Sequence, residues 1–175
     1  MSTELTIGQA KELQLLEFHS KGRSYACNLL WVKEVLRSPA VTPVQLAPSY
    51  VRGVVHLRGQ ILTAFDLEFR LGFADSGPRP NNRCIVFKTA TDLSRLPNPP
   101  DDAHMADTDP NGLLVDSIGD ILPAGARVLP SPPETLSGLN SRFILGVISG
   151  SEGLTTVLNV GAFLSQTETQ KGQLQ

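Results

Sequence analysis

Three histidines, two cysteines and a run of aspartates are the residues of this 175-residue chain whose types could do chemistry. His19, His56 and His104 lie far apart, and Cys27 and Cys84 form no C-x-x-C pair, so no zinc-ligand spacing connects them. Asp92, Asp101, Asp102, Asp107 and Asp109 crowd one proline-rich stretch. Residues 107–112 open like a calcium loop but lack its ligand series and its terminal glutamate. Repeated carboxylates of unknown separation do not make a glycosidase pair. The glycine-rich stretch 146–153 lacks the lysine and threonine of a phosphate-binding loop, and Ser149 and Ser151 have no identifiable His/Asp support. The expectation is a protein that is not an enzyme and that holds neither metal nor cofactor. What remains is the chemistry of contact. Arg58 carries a guanidinium that can direct several hydrogen bonds, either to a neighbour in the fold or to a partner. Glu34 is either a plain surface carboxylate or half of an interfacial charged pair, and Val32 and Val35 are either core or the apolar centre of an interface.

The elements that must position these residues are short. Fifteen glycines and thirteen prolines favour many turns over long helices. The organising stretch is 50–72, where two runs rich in valine, isoleucine, threonine and phenylalanine flank Arg58-Gly59 and read as a strand hairpin. Asp66 is placed to cap a helical turn over 67–71, and Gly72 to end it. Before this hairpin, 13–19 and 25–29 read as strands. Asn28 then starts a short helix with Leu29, Val32 and Val35 or Leu36 facing inward. A brief edge strand is expected within 41–46. Further on, 84–87, 112–121, 143–148 and 154–159 read as strands, the last two as a hairpin, followed by a helical end over 160–164. Residues 89–112 read as an exposed, mobile, acidic, proline-rich loop inserted in the domain. A flexible leader is expected over 1–12 and a disordered tail over 165–175.

With eight to ten short strands, the expected fold is all-β, its sheet edges closed into small barrels. A 41% hydrophobic and 18% charged composition suits one soluble domain. A formal net charge of -2 gives no electrostatic reason to expect nucleic acid or an anionic membrane as a partner. The first residues lack a secretory signal and no apolar run has the length of a membrane span, so the expectation is a cytoplasmic protein with buried free thiols.

WVKEV at 31–35, the proline-containing linker after it, and YVRGVVHLRGQILTAFDLEFRLG at 50–72 resemble the CheW-like domain. FILGVISGSEGLTTVLNVGAFL at 143–164 resembles the closing hairpin and turn of that domain, so the likeness runs over residues 13–164. The resemblance implies two five-stranded, SH3-like β barrels around a shared hydrophobic core. It also implies a noncatalytic adaptor that couples a CheA-type histidine kinase, through the kinase's regulatory domain, to the cytoplasmic tip of methyl-accepting chemoreceptors, with the protein associated with membrane receptor arrays. Carried over residue by residue, it makes Val32 and Glu34 contact candidates, Arg58 a receptor-side or structural arginine, and Gly53 and Gly59 structural glycines of the central hairpin. His56, Thr63-Ala64-Phe65, Asn28 and the 89–112 insertion depart from the family's usual pattern. A related adaptor in a pilus-motility or other chemosensory pathway, or a β-barrel module with other partners, are the alternatives.

Overall fold

Strand β1 (Leu15–Ser20) turns into β2 (Arg23–Asn28) through Lys21-Gly22, both at positive φ (50° and 75°). Such a left-handed pair matches the twist of the flanking strands. The computed structural model describes residues 14–73, 83–122, 128–129, 140–150 and 152–165. The leader expected over 1–12, the loop over 74–82 and nearly all of the tail over 165–175 lie outside the described residues.

The helix expected from Asn28 is a correction. Asn28 does cap, its Oδ1 accepting from the Leu30 N–H at 2.9 Å, but only a single 3₁₀ turn, Leu29–Trp31, follows. The chain then extends as β3 (Val32–Arg37). The VKEVLR run fits both periods, and the available edge of β6 (Arg83–Phe87) decides: Glu34 aligns with Val86 and Leu36 with Cys84. Val35, expected to face inward, is exposed, while Val32, Glu34 and Leu36 lean in.

The central hairpin forms as β4 (Val51–Leu57) and β5 (Gln60–Asp66), with Arg58 and Gly59 at φ 49° and 79°. Asp66 caps α1 (Leu67–Leu71) by accepting from the Phe69 N–H at 3.1 Å, and Gly72 ends it in the left-handed region. In place of an edge strand over 41–46 there is a single bridge between Thr42 and Val54. The single strand expected over 112–121 is two, β7 (Asn111–Val115) and β8 (Ser117–Leu122), in different sheets. Asp116 marks the crossing, its N–H on the His19 carbonyl at 2.9 Å and its carboxylate on the Lys21 N–H at 2.7 Å. The closing hairpin β9 (Ile144–Gly150) and β10 (Gly153–Leu158) leads into α3 (Val160–Leu164), capped by Asn159.

One sheet runs β8-β1-β2-β10-β9 and the other β3-β6-β7-β5-β4. Each has a single parallel contact at the same place, β2–β10 and β7–β5. In each, chain that follows one edge strand bridges to the other edge, Thr42 to Val54 and Leu129 to Val147, which closes the barrel. The second barrel is contiguous, β3 through β7. The first has the same unit, begun by β8, β9 and β10 and completed by the N-terminal hairpin.

Aromatic residues from both barrels meet in a shared core that includes Trp31, Phe65, Phe87, Phe143 and Phe163. Each barrel also has its own interior. That of the second is apolar, with Val55, Leu62, Ala64, Cys84 and Val86. In the first, Glu17 aligns with Ala26 as Val86 aligns with Gly112, and Thr155 takes the place of Leu62. Glu17 is fully buried and accepts from the Thr155 hydroxyl at 2.9 Å, so a hydrogen-bonded pair replaces a hydrocarbon pair.

Both cysteines are buried free thiols, and burial pushes each up to about 12. Since the thiolate is the reactive form, neither should react with a disulfide reagent in the native protein. Labelling followed with rising denaturant should track global unfolding; rapid native labelling at either site would contradict this packing.

Candidate protein-interaction surface

The site begins at Trp31, which is 1% exposed and whose apolar ring anchors the 3₁₀ turn in the shared core. Its indole N–H must find an acceptor there, and the Asp102 Oδ1 accepts it at 3.0 Å. Val32 follows, half-buried against the core, then Lys33 outward and Glu34 half-buried. Lys88 clamps the same turn twice, its N–H donating to the Trp31 carbonyl and its Nζ to the Leu30 carbonyl, each at 2.8 Å.

Glu34 and Arg58 come together. Arg58 Nη1 donates to Glu34 Oε1 at 2.8 Å and Nη2 to Oε2 at 3.0 Å, a two-pronged pair between β3 and the β4–β5 turn. The pair therefore joins the two edge strands of the second barrel. A left-handed turn position aims the Arg58 side chain across this seam. The guanidinium remains 73% exposed, so the pair contributes little stability, about 0–1 kcal/mol. Its larger effect is to hold a planar donor fork in one orientation beside solvent. A depression beside it is lined by Lys33, Leu57, Gln60, Phe87, Thr89 and Pro110. Ile61 and Leu30 add exposed apolar surface nearby in sequence to these elements.

Residues 89–112, expected as an exposed loop, are built into this surface. Thr89 and Asp92 form a capping box at the start of α2 (Ala90–Ser94), and Leu93 is buried. Lys33 Nζ meets Asp92 Oδ2 at 3.1 Å. Burial works to raise the Asp92 carboxyl, but the Thr89 N–H and Lys33 outweigh it and hold the group below its ordinary value. These contacts are therefore present at neutral pH and are lost only in acid, as pH falls through that lowered value. A 3₁₀ turn, Ala103–Met105, follows Asp102. The capping box T-A-T-D was a legible signal; the role of Asp102 had none beyond the need of a buried tryptophan for an acceptor.

The other sequence candidates stay apart. Gly59 adjoins Arg58, but Gly53 sits toward the opposite end of β4, where the barrel closes. His56 is exposed on β4, His104 Nδ1 lies 3.3 Å from the Asp101 carbonyl, and His19 Nε2 lies 4.0 Å from Glu152. Among the described residues no group of three or more histidine, cysteine or acidic side chains is placed to hold a metal ion. Sequence reasoning missed Arg70, a buried cation in α1 that donates to two backbone carbonyls of the C-terminal end.

The family described as CheW-like domain matches residues 14–168. The probable chemotaxis protein CheW of Rhizobium etli is 26% identical over 157 residues, covering 90% of both chains. Protein FrzA of Myxococcus xanthus is 30% identical over 142 residues, covering 80% of this chain and 77% of its own. Among solved structures, the scaffolding protein TtCheW of Thermoanaerobacter tengcongensis superposes with a TM-score of 0.62 at 20% identity, covering 83% of this chain and 88% of that one. That likeness is one of fold.

Proposed function

The chain belongs to the CheW-like domain family, and from that premise we propose that its Glu34–Arg58 seam is a contact surface of a noncatalytic chemosensory adaptor. The adaptor couples a CheA-type histidine kinase to chemoreceptors. One face engages the kinase's regulatory domain and another the cytoplasmic tip of the receptor, within an array at the membrane. No helix among the described residues is long and apolar enough to cross a membrane; in this reading the receptor supplies the membrane attachment. Val32 contributes the apolar part of the contact, and Glu34 with Arg58 the charged rim that selects register. A receptor transition then alters kinase activity by changing the contacts the two partners share through this chain. The observation that carries the reading is the two-pronged Glu34–Arg58 pair, held exposed at a barrel seam. The likeness to FrzA supports a second reading, the same adaptor role in a related chemosensory pathway.

Reconstitution of the cognate kinase and receptor should give receptor-dependent phosphorylation only when this chain is added. Glu34→Arg is expected to weaken binding of one partner by about tenfold to a hundredfold while circular dichroism stays unchanged. The exchange Glu34→Arg with Arg58→Glu rebuilds the internal pair with its charges reversed. If it restores binding, the pair acts as scaffold; if binding stays lost, the side chains touch the partner. Undiminished binding by every variant would remove this surface from the mechanism.

A further inference from the structure

Four polar links converge on residues 30–33 from the stretch that begins at Lys88. Two come from Lys88, one joins Lys33 to Asp92, and one joins the Trp31 indole to Asp102. Only the last also reaches the other barrel. While Asp102 Oδ1 accepts from Trp31, its Oδ2 accepts from the Gly161 N–H at 3.0 Å, in the first turn of α3. A side chain at Gly161 would push this carboxylate aside, since a Cβ there would lie 2.7 Å from that same Oδ2 and 3.0 Å from the Asp102 Cβ. The carboxylate is thus wedged between the ring that precedes Val32 and the helix that follows β10. The segment carrying it is itself pinned by the Thr89–Asp92 box, by buried Leu93 and by the Ala90 N–H on the Asp107 carbonyl at 2.8 Å.

We propose that Asp102 is a positioning residue for the contact strand: it sets the placement of residues 31–34 relative to the first barrel and so tunes partner affinity. The proposal rests on the contact reading of Val32 and Glu34. The geometry gives the physical reason. Val32 follows directly on Trp31, so a shift of the indole is passed to the strand within one residue. Movement of α3 reaches that indole through this carboxylate, by hydrogen bonds strengthened by its charge, as well as through the packing of Phe163 and Trp31 in the shared core. The two Lys88 bonds and the β3–β6 pairing do not depend on Asp102, so its loss displaces the strand without unfolding it.

The test uses the full chain, with the kinase's regulatory domain and a receptor cytoplasmic fragment as probes in titration calorimetry. Asp102→Ala removes both bonds; Gly161→Ala displaces the carboxylate from its far side and changes no group that touches Trp31. Both are expected to weaken, by about tenfold, the same partner that Glu34→Arg weakens, and to shift the Trp31 indole N–H resonance and speed its exchange. Thr155→Val, which loses a buried bond inside the first barrel and changes none of the four links to residues 30–33, serves as a destabilised control and should keep its affinity. Unchanged affinity in Asp102→Ala despite a shifted indole signal would make Asp102 structural only and overturn the proposal, as would an equal loss in Thr155→Val. If Glu34→Arg and Val32→Ala both bind normally, the contact reading itself has failed and the proposal falls with it.

Discussion

Replacing Arg70 with alanine is expected to lower the unfolding free energy by about 3–5 kcal/mol, through the loss of two charge-assisted hydrogen bonds from a buried side chain and of its packing. Arg70 is 5% exposed. Its Nε donates to the Phe163 carbonyl at 3.1 Å and its Nη2 to the Ser165 carbonyl at 2.7 Å, so it supplies donors to the C-terminal end of α3. Its guanidinium lies over two rings, 4.2 Å from the Tyr50 centroid and 4.8 Å from that of Phe143. Burial pulls the group below its ordinary pKa; the Tyr50 contact opposes this and Arg142 adds to it. The residue thus joins α1 of the second barrel to α3 of the first, at the rim of the shared core. Alanine would leave two carbonyls short of a donor and a void between the rings. Lysine, a point charge without the planar fork, should recover only part of the loss. Denaturant titration measures the change directly, and a fall in Tm of about 10 °C should accompany it. A loss below about 1 kcal/mol would mean that the two barrels do not depend on this arginine.

Gly53→Ala is expected to cost about 3 kcal/mol or more, while Gly59→Ala in the same hairpin should cost about 1 kcal/mol. Both glycines have positive φ, 150° and 79°. Their surroundings differ. A Cβ on Gly59 meets nothing, so only backbone strain is at stake. A Cβ on Gly53 would overlap the Thr42 carbonyl oxygen and press on Val41 Cγ1. Relief requires moving residues 41–42, which breaks the Thr42–Val54 bonds of 2.9 and 2.8 Å that close the second barrel. The equivalent position in the first barrel, Gly146, meets the Leu129 carbonyl in the same way. Equal losses for Gly53→Ala and Gly59→Ala would show that strain alone, and not the close approach at the seam, requires glycine at 53.

Much of the strand content was legible because its signals are local. The Arg58-Gly59 turn, the Asp66 cap and the Gly72 stop are each complete within a few residues, and each forms as expected. The errors fall where local signals conflict or end. The 29–36 run satisfies a helical spacing, yet the β6 edge draws all but its first turn into a strand. The 112–121 run reads as one strand although Asp116-Ser117 interrupts its apolar residues, and nothing local shows that the chain changes barrels there. Proline and aspartate gave residues 89–112 the composition of a solvated loop, but composition does not register a capping box, a buried leucine or a carboxylate shared between Trp31 and Gly161.

By itself, then, the sequence determined an all-β chain of short hairpins, its caps and turns, and through the WVKEV and LRG blocks its place in the CheW-like family. Glu34 and Arg58 could be singled out as residues without showing that they bind each other. Their pairing, the completion of the first barrel by the N-terminal hairpin, and the bridging of the barrels by Arg70 and Asp102 were decided only by tertiary structure. The physical reason is reach. A turn or cap is settled by groups a few residues apart, whereas each of these contacts joins segments that meet only after both barrels have closed and their shared core has packed.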